Sequence, residues 1–173
     1  MIKKIFITII LIIGFNNYVF PCNIKIIPFG SEKEKINLSR IPEIFPDQFN
    51  GENLLIPIQE ICKNEDNLFG TIINYLFVNN KLLQITLIRA NLNDAKLLDF
   101  AMNSYGKFSL PSGIKKENFR GNYVWEKDNE NINYVHTNIH DGEAEFIEIT
   151  NDLYLLDLQN YNEKVGKWLD SQN

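Results

Sequence analysis

The chain has 173 residues, of which 17 are basic and 22 acidic, and 45% of it is hydrophobic. A net charge of −5 argues against nucleic-acid binding, since such proteins cluster their cations, whereas Lys33/Lys35 and Lys115-Lys116 are few and mixed with Glu. No G-x-S-x-G, P-loop, dinucleotide-binding glycine run or H-E-x-x-H occurs, so the common hydrolase, nucleotide and zinc-protease signatures are missing.

Lys3 and Lys4 precede an apolar run over residues 5–15, interrupted by Thr8 and Gly14 and followed by Asn16-Asn17. Charged, apolar and polar regions in that order are the anatomy of a secretory signal. The run is shorter than the roughly 20 apolar residues of a spanning helix, so membrane contact is expected only through the signal. We therefore expect residues 1–22 to be a secretory signal and residues 23–173 to form a single domain in the periplasm or outside the cell. Without Lys3 and Lys4 that domain carries 15 basic and 22 acidic side chains, a charge of −7.

Val19-Phe20-Pro21-Cys22 resembles a bacterial lipobox, but Pro21 stands where a small residue belongs, which argues against a lipid anchor on Cys22. The second cysteine, Cys62, has no C-x-x-C partner, so thiol redox catalysis is unsupported. Export permits a Cys22–Cys62 bridge, which would close a loop of about 40 residues and stabilise the fold by about 4 kcal/mol on the chain-entropy model. The competing expectation is that cleavage removes Cys22 and leaves Cys62 as a buried, inert thiol.

Prolines 28, 42 and 46 interrupt the entry to the domain, where Ile24-Lys25-Ile26 can form a short strand. Residues 54–62 are apolar around Pro57 and read as a strand or a short helix. Two β-rich runs, residues 72–78 and 81–88, flank Asn79-Asn80, and asparagine tolerates the positive φ of a two-residue hairpin turn. That register sets Leu76 opposite Leu83 and Ile72 opposite Leu87. Both faces of the hairpin are apolar, which predicts a strand pair covered on both sides or lining a cavity. Asn93-Asp94 offers a helix cap, and Leu97, Leu98, Ala101 and Tyr105 recur at helical spacing until Gly106. A helix over 94–105 follows, with its stripe packed on the preceding hairpin. Residues 108–121 form a loop. The last third reads as a meander of four strands, residues 122–127, 132–139, 144–150 and 153–158, separated by Asn, Asp and Gly, before an amphipathic helix over 160–169. The fold class is α+β, mainly an antiparallel sheet with helices on one face.

The segments Tyr75-Leu76-Phe77-Val78-Asn79-Asn80-Lys81-Leu82, Tyr105-Gly106-Lys107 and Tyr123-Val124-Trp125 together resemble small proteins of bacterial envelopes. The resemblance spans the C-terminal two-thirds, carries no catalytic residue, and implies a periplasmic or surface role.

One cluster has geometry with chemical content. If Asp141-Gly142 makes a two-residue turn, His140 faces Glu143, Asn138 faces Glu145 and His136 faces Ile147, with His136, His140, Glu143 and Glu145 on one side of the hairpin. Two imidazoles and two carboxylates are a ligand set for a divalent transition metal, and neighbouring Glu would raise the proton affinity of a histidine. Against this, histidines four residues apart on a strand stand about 13 Å apart, and a polar hairpin face is ordinarily solvated. The expectation is an exposed face without metal, backed by Val135, Ile139, Ala144 and Phe146 on the core side. Trp125 and Trp168 are expected in the core. With no catalytic residue or cofactor indicated, the sequence points to a non-enzymatic exported binding module of the bacterial envelope. It would be immunity- or inhibitor-like, or an envelope accessory, with another protein as partner. The alternatives are a small-ligand carrier with the hairpin as a cavity wall, or an enzyme without a recognisable motif.

Overall fold

The computed structural model describes residues 22–38, 42–63, 65–90, 94–140 and 142–172. Residues 1–21, where the secretory signal is expected, and Asn93 and Asp141 lie outside them. The elements are β1 (Glu43–Pro46), β2 (Gly51–Pro57), β3 (Ile72–Val78), β4 (Lys81–Ala90), α1 (Lys96–Tyr105), β5 (Gly121–Lys127), β6 (Glu130–Ile139), β7 (Gly142–Asn151) and α2 (Leu155–Asp170), with short 3₁₀ turns between them. The strands form one seven-stranded antiparallel sheet in the order β1-β2-β3-β4-β7-β6-β5, so the fold is α+β.

The hairpin turn is as the sequence specifies, with φ of 50° at Asn79 and 60° at Asn80. Phe77 pairs with Leu82 next to the turn, but a β-bulge then inserts Leu83, so Leu76 meets Gln84 and Ile72 meets Ile88. The expected Leu76–Leu83 and Ile72–Leu87 pairs are thereby displaced by one residue. The bulge leaves Leu83 free to join Leu76 and Val78 on the face that α2 covers, while Tyr75, Phe77 and Leu82 fill the opposite face.

Alternation therefore gives the sheet two different sides. On the first, Leu54, Ile73, Tyr75, Ile85, Leu87, Ile132 and Ile147 join Leu97, Leu98 and Ala101 of α1 and the entry segment around Ile24 and Ile27 in the main core. On the second, Leu158 and Tyr161 of α2 pack on Leu76, Val78 and Leu83. The helices thus lie on opposite faces, not together on one, because β3 and β4 present apolar residues at both parities. Nor does α1 sit mainly on the hairpin: it lies chiefly over β7 and β6.

Other boundaries differ for local reasons. Residues 24–26 are irregular, anchored by Ile24, whose carbonyl accepts a 2.7 Å bond from the Tyr75 hydroxyl. Residues 54–62 divide between the two expected forms, β2 ending at Pro57 and a 3₁₀ turn taking Ile58–Glu60. The fourth strand of the meander is helical: Asn151 Oδ1 accepts the Leu153 N–H at 3.0 Å, and the chain turns through Asp152–Tyr154 directly into α2. Cys22 and Cys62 are joined by a disulfide with Cα atoms 5.5 Å apart, tying the entry segment to the turn after β2. Among the described residues no helix is long and apolar enough to cross a membrane.

Candidate functional site

The β6–β7 ladder closes one residue earlier than the sequence suggests, so Ile139 pairs with Gly142, Asn138 with Glu143 and His136 with Glu145. This displacement keeps side-chain parity, and His136, Glu143 and Glu145 do share a face. That face is the covered one. His136 and Glu145 are each 2% exposed, whereas Val135 and Phe146, expected in the core, are half-buried and Ile139 is exposed. The reversal has a physical cause: the N-terminus of α1 and the segment around Phe119 lie over this side, and their polar groups need partners there. His140 sits exposed in the turn, off the ladder.

Glu145 is the centre of the arrangement. Its carboxylate accepts the backbone N–H of Leu97 at 3.3 Å and of Leu98 at 3.2 Å, and the Tyr134 hydroxyl at 2.8 Å. Ala95, at the helix start, supplies no capping side chain. The orphan donors of the first turn are instead met by a carboxylate from β7, where the helix dipole also favours negative charge. Burial pushes the Glu145 pKa up, opposed by the bonds from Tyr134, Leu97 and Leu98. Asp94, the expected cap, is occupied elsewhere: it receives Arg89 Nε at 3.0 Å and Nη2 at 2.9 Å, holding a guanidinium that is 3% exposed.

Beside this cap, Arg120 forms a two-pronged ion pair with Glu143 and places Nη1 3.4 Å from His136 Nδ1. Arginine can only donate, so in this contact Nδ1 is the acceptor. Nε2 stands 3.5 Å from Glu143 Oε2, too far for a good hydrogen bond, and the Phe119 backbone also bonds to the imidazole. Burial, then the Arg120 charge, lowers the His136 pKa despite the nearby carboxylate. The rise expected from two glutamates is thus reversed: Glu143 is neutralised by Arg120, and Glu145 faces the helix. The cluster is a set of structural partners, and no group of three or more His, Cys, Asp or Glu is placed to hold a metal among the described residues.

Trp125 is buried and donates from Nε1 to the Gly106 carbonyl at 2.8 Å. Trp168 departs from its expected place in the core: it is 42% exposed and rests edge-on against Phe49 at 6.3 Å, because the end of α2 has run past the second core.

The feature that sequence reasoning missed lies on the second side of the sheet. There α2 covers only the end near the β3–β4 turn. Beyond it, strand registers align two rows across the sheet: Leu55, Asn74, Thr86, Glu148 and Asn133 in one, and Ile72, Ile88, Phe146 and Val135 in the next. The apolar members are half-buried and belong to neither core cluster. Asn74 Nδ2 donates to Asn53 Oδ1 at 2.8 Å and Asn133 Nδ2 to Glu148 at 3.1 Å, while Asn74 Oδ1 and Asn133 Oδ1 accept nothing from the protein. The signal was present in the strand parity, but only the strand order brings β3, β4, β7 and β6 together. Comparison with protein-family models, curated proteins and solved structures returned no match.

Proposed function

We propose that this protein is a non-enzymatic, exported binding module of the bacterial envelope that holds another protein on the uncovered part of its sheet. The observation that carries the reading is the row Ile72–Ile88–Phe146–Val135 lying beside a row of amide, hydroxyl and carboxylate groups, its apolar residues joined to neither core cluster among the described residues. An apolar strip edged by polar groups is the composition of a protein interface. Glu148 in that row suits a partner rich in donors. The net charge of −5 favours a basic surface, through charge complementarity. Export is supported by the Cys22–Cys62 bridge, a bond that persists in oxidising compartments, together with the N-terminal signal pattern.

The packing favours this reading over a carrier. Tyr75, Phe77, Leu82 and Leu83 of the hairpin are all buried in packed clusters on either face, so the hairpin is filled core near its turn. The test is recovery of the protein from the envelope of its host, comparing the native chain with Phe146→Glu and Ile88→Glu. The native chain retains a co-purifying protein and both variants lose it with unchanged circular dichroism. Retention by both variants would refute the assignment of this face.

A further inference from the structure

The two edges of the sheet are β1 and β5, and the sequence treats them differently. β1 has four residues, is preceded by Pro42 and ends on Pro46, and proline cannot donate to an incoming strand. β5 has seven residues, no proline, and Tyr123-Val124-Trp125 at its middle. Among the described residues its backbone bonds run only to β6. An edge of this length and β-propensity is a template for another strand, and its only guards are the charges of Glu126 and Lys127.

We propose that β5 pairs antiparallel with β5 of a second copy of this chain, about a two-fold axis at Val124. An axis perpendicular to the sheet requires opposing residues to share a face, so one residue must stand directly opposite its own copy, with the axis midway between the two. Centred on Val124, it sets Glu126 opposite Asn122, Lys127 opposite Gly121 and Tyr123 opposite Trp125. The guarding charges then meet complementary groups: the Asn122 amide donates to the Glu126 carboxylate, and the Lys127 stem lies across a residue with no side chain. Just beyond the strand, Arg120 faces Asp128, and no like charges are opposed. Val124, 46% exposed in the single chain, meets its own copy. Moving the centre to Tyr123 sets Val124 against Asn122, and moving it to Trp125 sets Val124 against Glu126. Self-pairing in this register leaves the proposed binding face on one side of a continuous sheet, and it stands or falls independently of that function.

The test uses the exported chain with its native disulfide intact. Val124→Cys should form a covalent dimer under mild oxidation, because directly opposed Cα atoms lie about 4.5 to 5.5 Å apart, within disulfide range. Ile44→Cys on the β1 edge should remain monomeric. Sedimentation should show a dimer for the native chain, shifted to monomer by Val124→Pro with the far-ultraviolet spectrum retained. A native monomer at all concentrations without Val124→Cys cross-linking overturns the proposal. So does stronger self-linking through Asn122→Cys or Glu126→Cys, or a Val124→Cys that links only to a different protein.

Discussion

Glu145 on β7 accepts the backbone N–H of Leu98 on α1 at 3.2 Å, across 47 residues of sequence. A helix that lacks a cap of its own is thereby fixed to the sheet by a carboxylate from another element. Removing that carboxylate leaves the first-turn donors and the Tyr134 hydroxyl buried without an acceptor. Glu145→Ala is therefore expected to destabilise the domain by about 2 to 4 kcal/mol, and Tyr134→Phe by about 1 kcal/mol. Denaturant unfolding of both variants and of the double variant checks this, with the combined loss smaller than the sum because the two groups share one bond.

The helix face itself gives a second expectation. Leu98 is fully buried, whereas Lys96 is partly exposed and pairs with Asp94 at 3.6 Å. Leu98→Asp should unfold the domain, since it buries an unpaired charge, and Lys96→Asp should be tolerated, as an acid near a helix N-terminus is favourable. Circular dichroism separates the two, and equal stability would contradict the placement of α1.

His136 makes stability depend on pH. Its folded pKa is lowered below 6.5 by burial and by Arg120, so the folded state prefers the neutral ring. The stabilisation is complete above the unfolded pKa and is lost as pH falls through the folded one. Glu145, with a raised pKa, acts in the opposite sense, its contribution fading as pH rises from the ordinary carboxylate range. Melting temperature should fall on acidification below about pH 6.5, the ordinary histidine value, and His136→Gln should flatten that fall. An unchanged slope in the variant would assign the acid sensitivity to other groups.

Much of this architecture was legible before the structure. The Asn79-Asn80 turn, the α1 stripe and the Gly106 stop follow from local chemistry, because positive φ and helical spacing are written within a few residues. Strand order is not local. Nothing in residues 142–151 states that β7 returns beside β4, and that pairing decides which side of the β6–β7 hairpin is buried. Hence His136 and Glu145 read as a solvated polar face when their polarity in fact serves α1 and the Phe119 segment. The Leu83 bulge likewise escapes alternation, since one inserted residue exchanges the faces of all that follows. Residues 153–158 read as a strand because their leucines are compatible with either period, and the Asn151 cap decides for helix.

The disulfide supplies a further expectation. Cys22→Ser or Cys62→Ser should cost about 4 kcal/mol for a loop of this size and release the segment carrying Ile24 and Ile27 from the core. Thermal unfolding with and without reductant measures it. Because Cys22 is bridged, signal cleavage is expected before that residue, which mass spectrometry of the mature N-terminus checks; a mature chain beginning at Asn23 would contradict it.

The most direct test of the proposed binding role is site-specific photo-cross-linking in the producing cell, with a photoreactive residue at Ile88, half-buried in the apolar row, or at Leu153, 81% exposed at the start of the α2 turn. Covalent capture of one envelope protein from Ile88, lost when Phe146→Glu is added and absent from Leu153, is the result the account predicts. No capture from Ile88, or equal capture from Leu153, would contradict it.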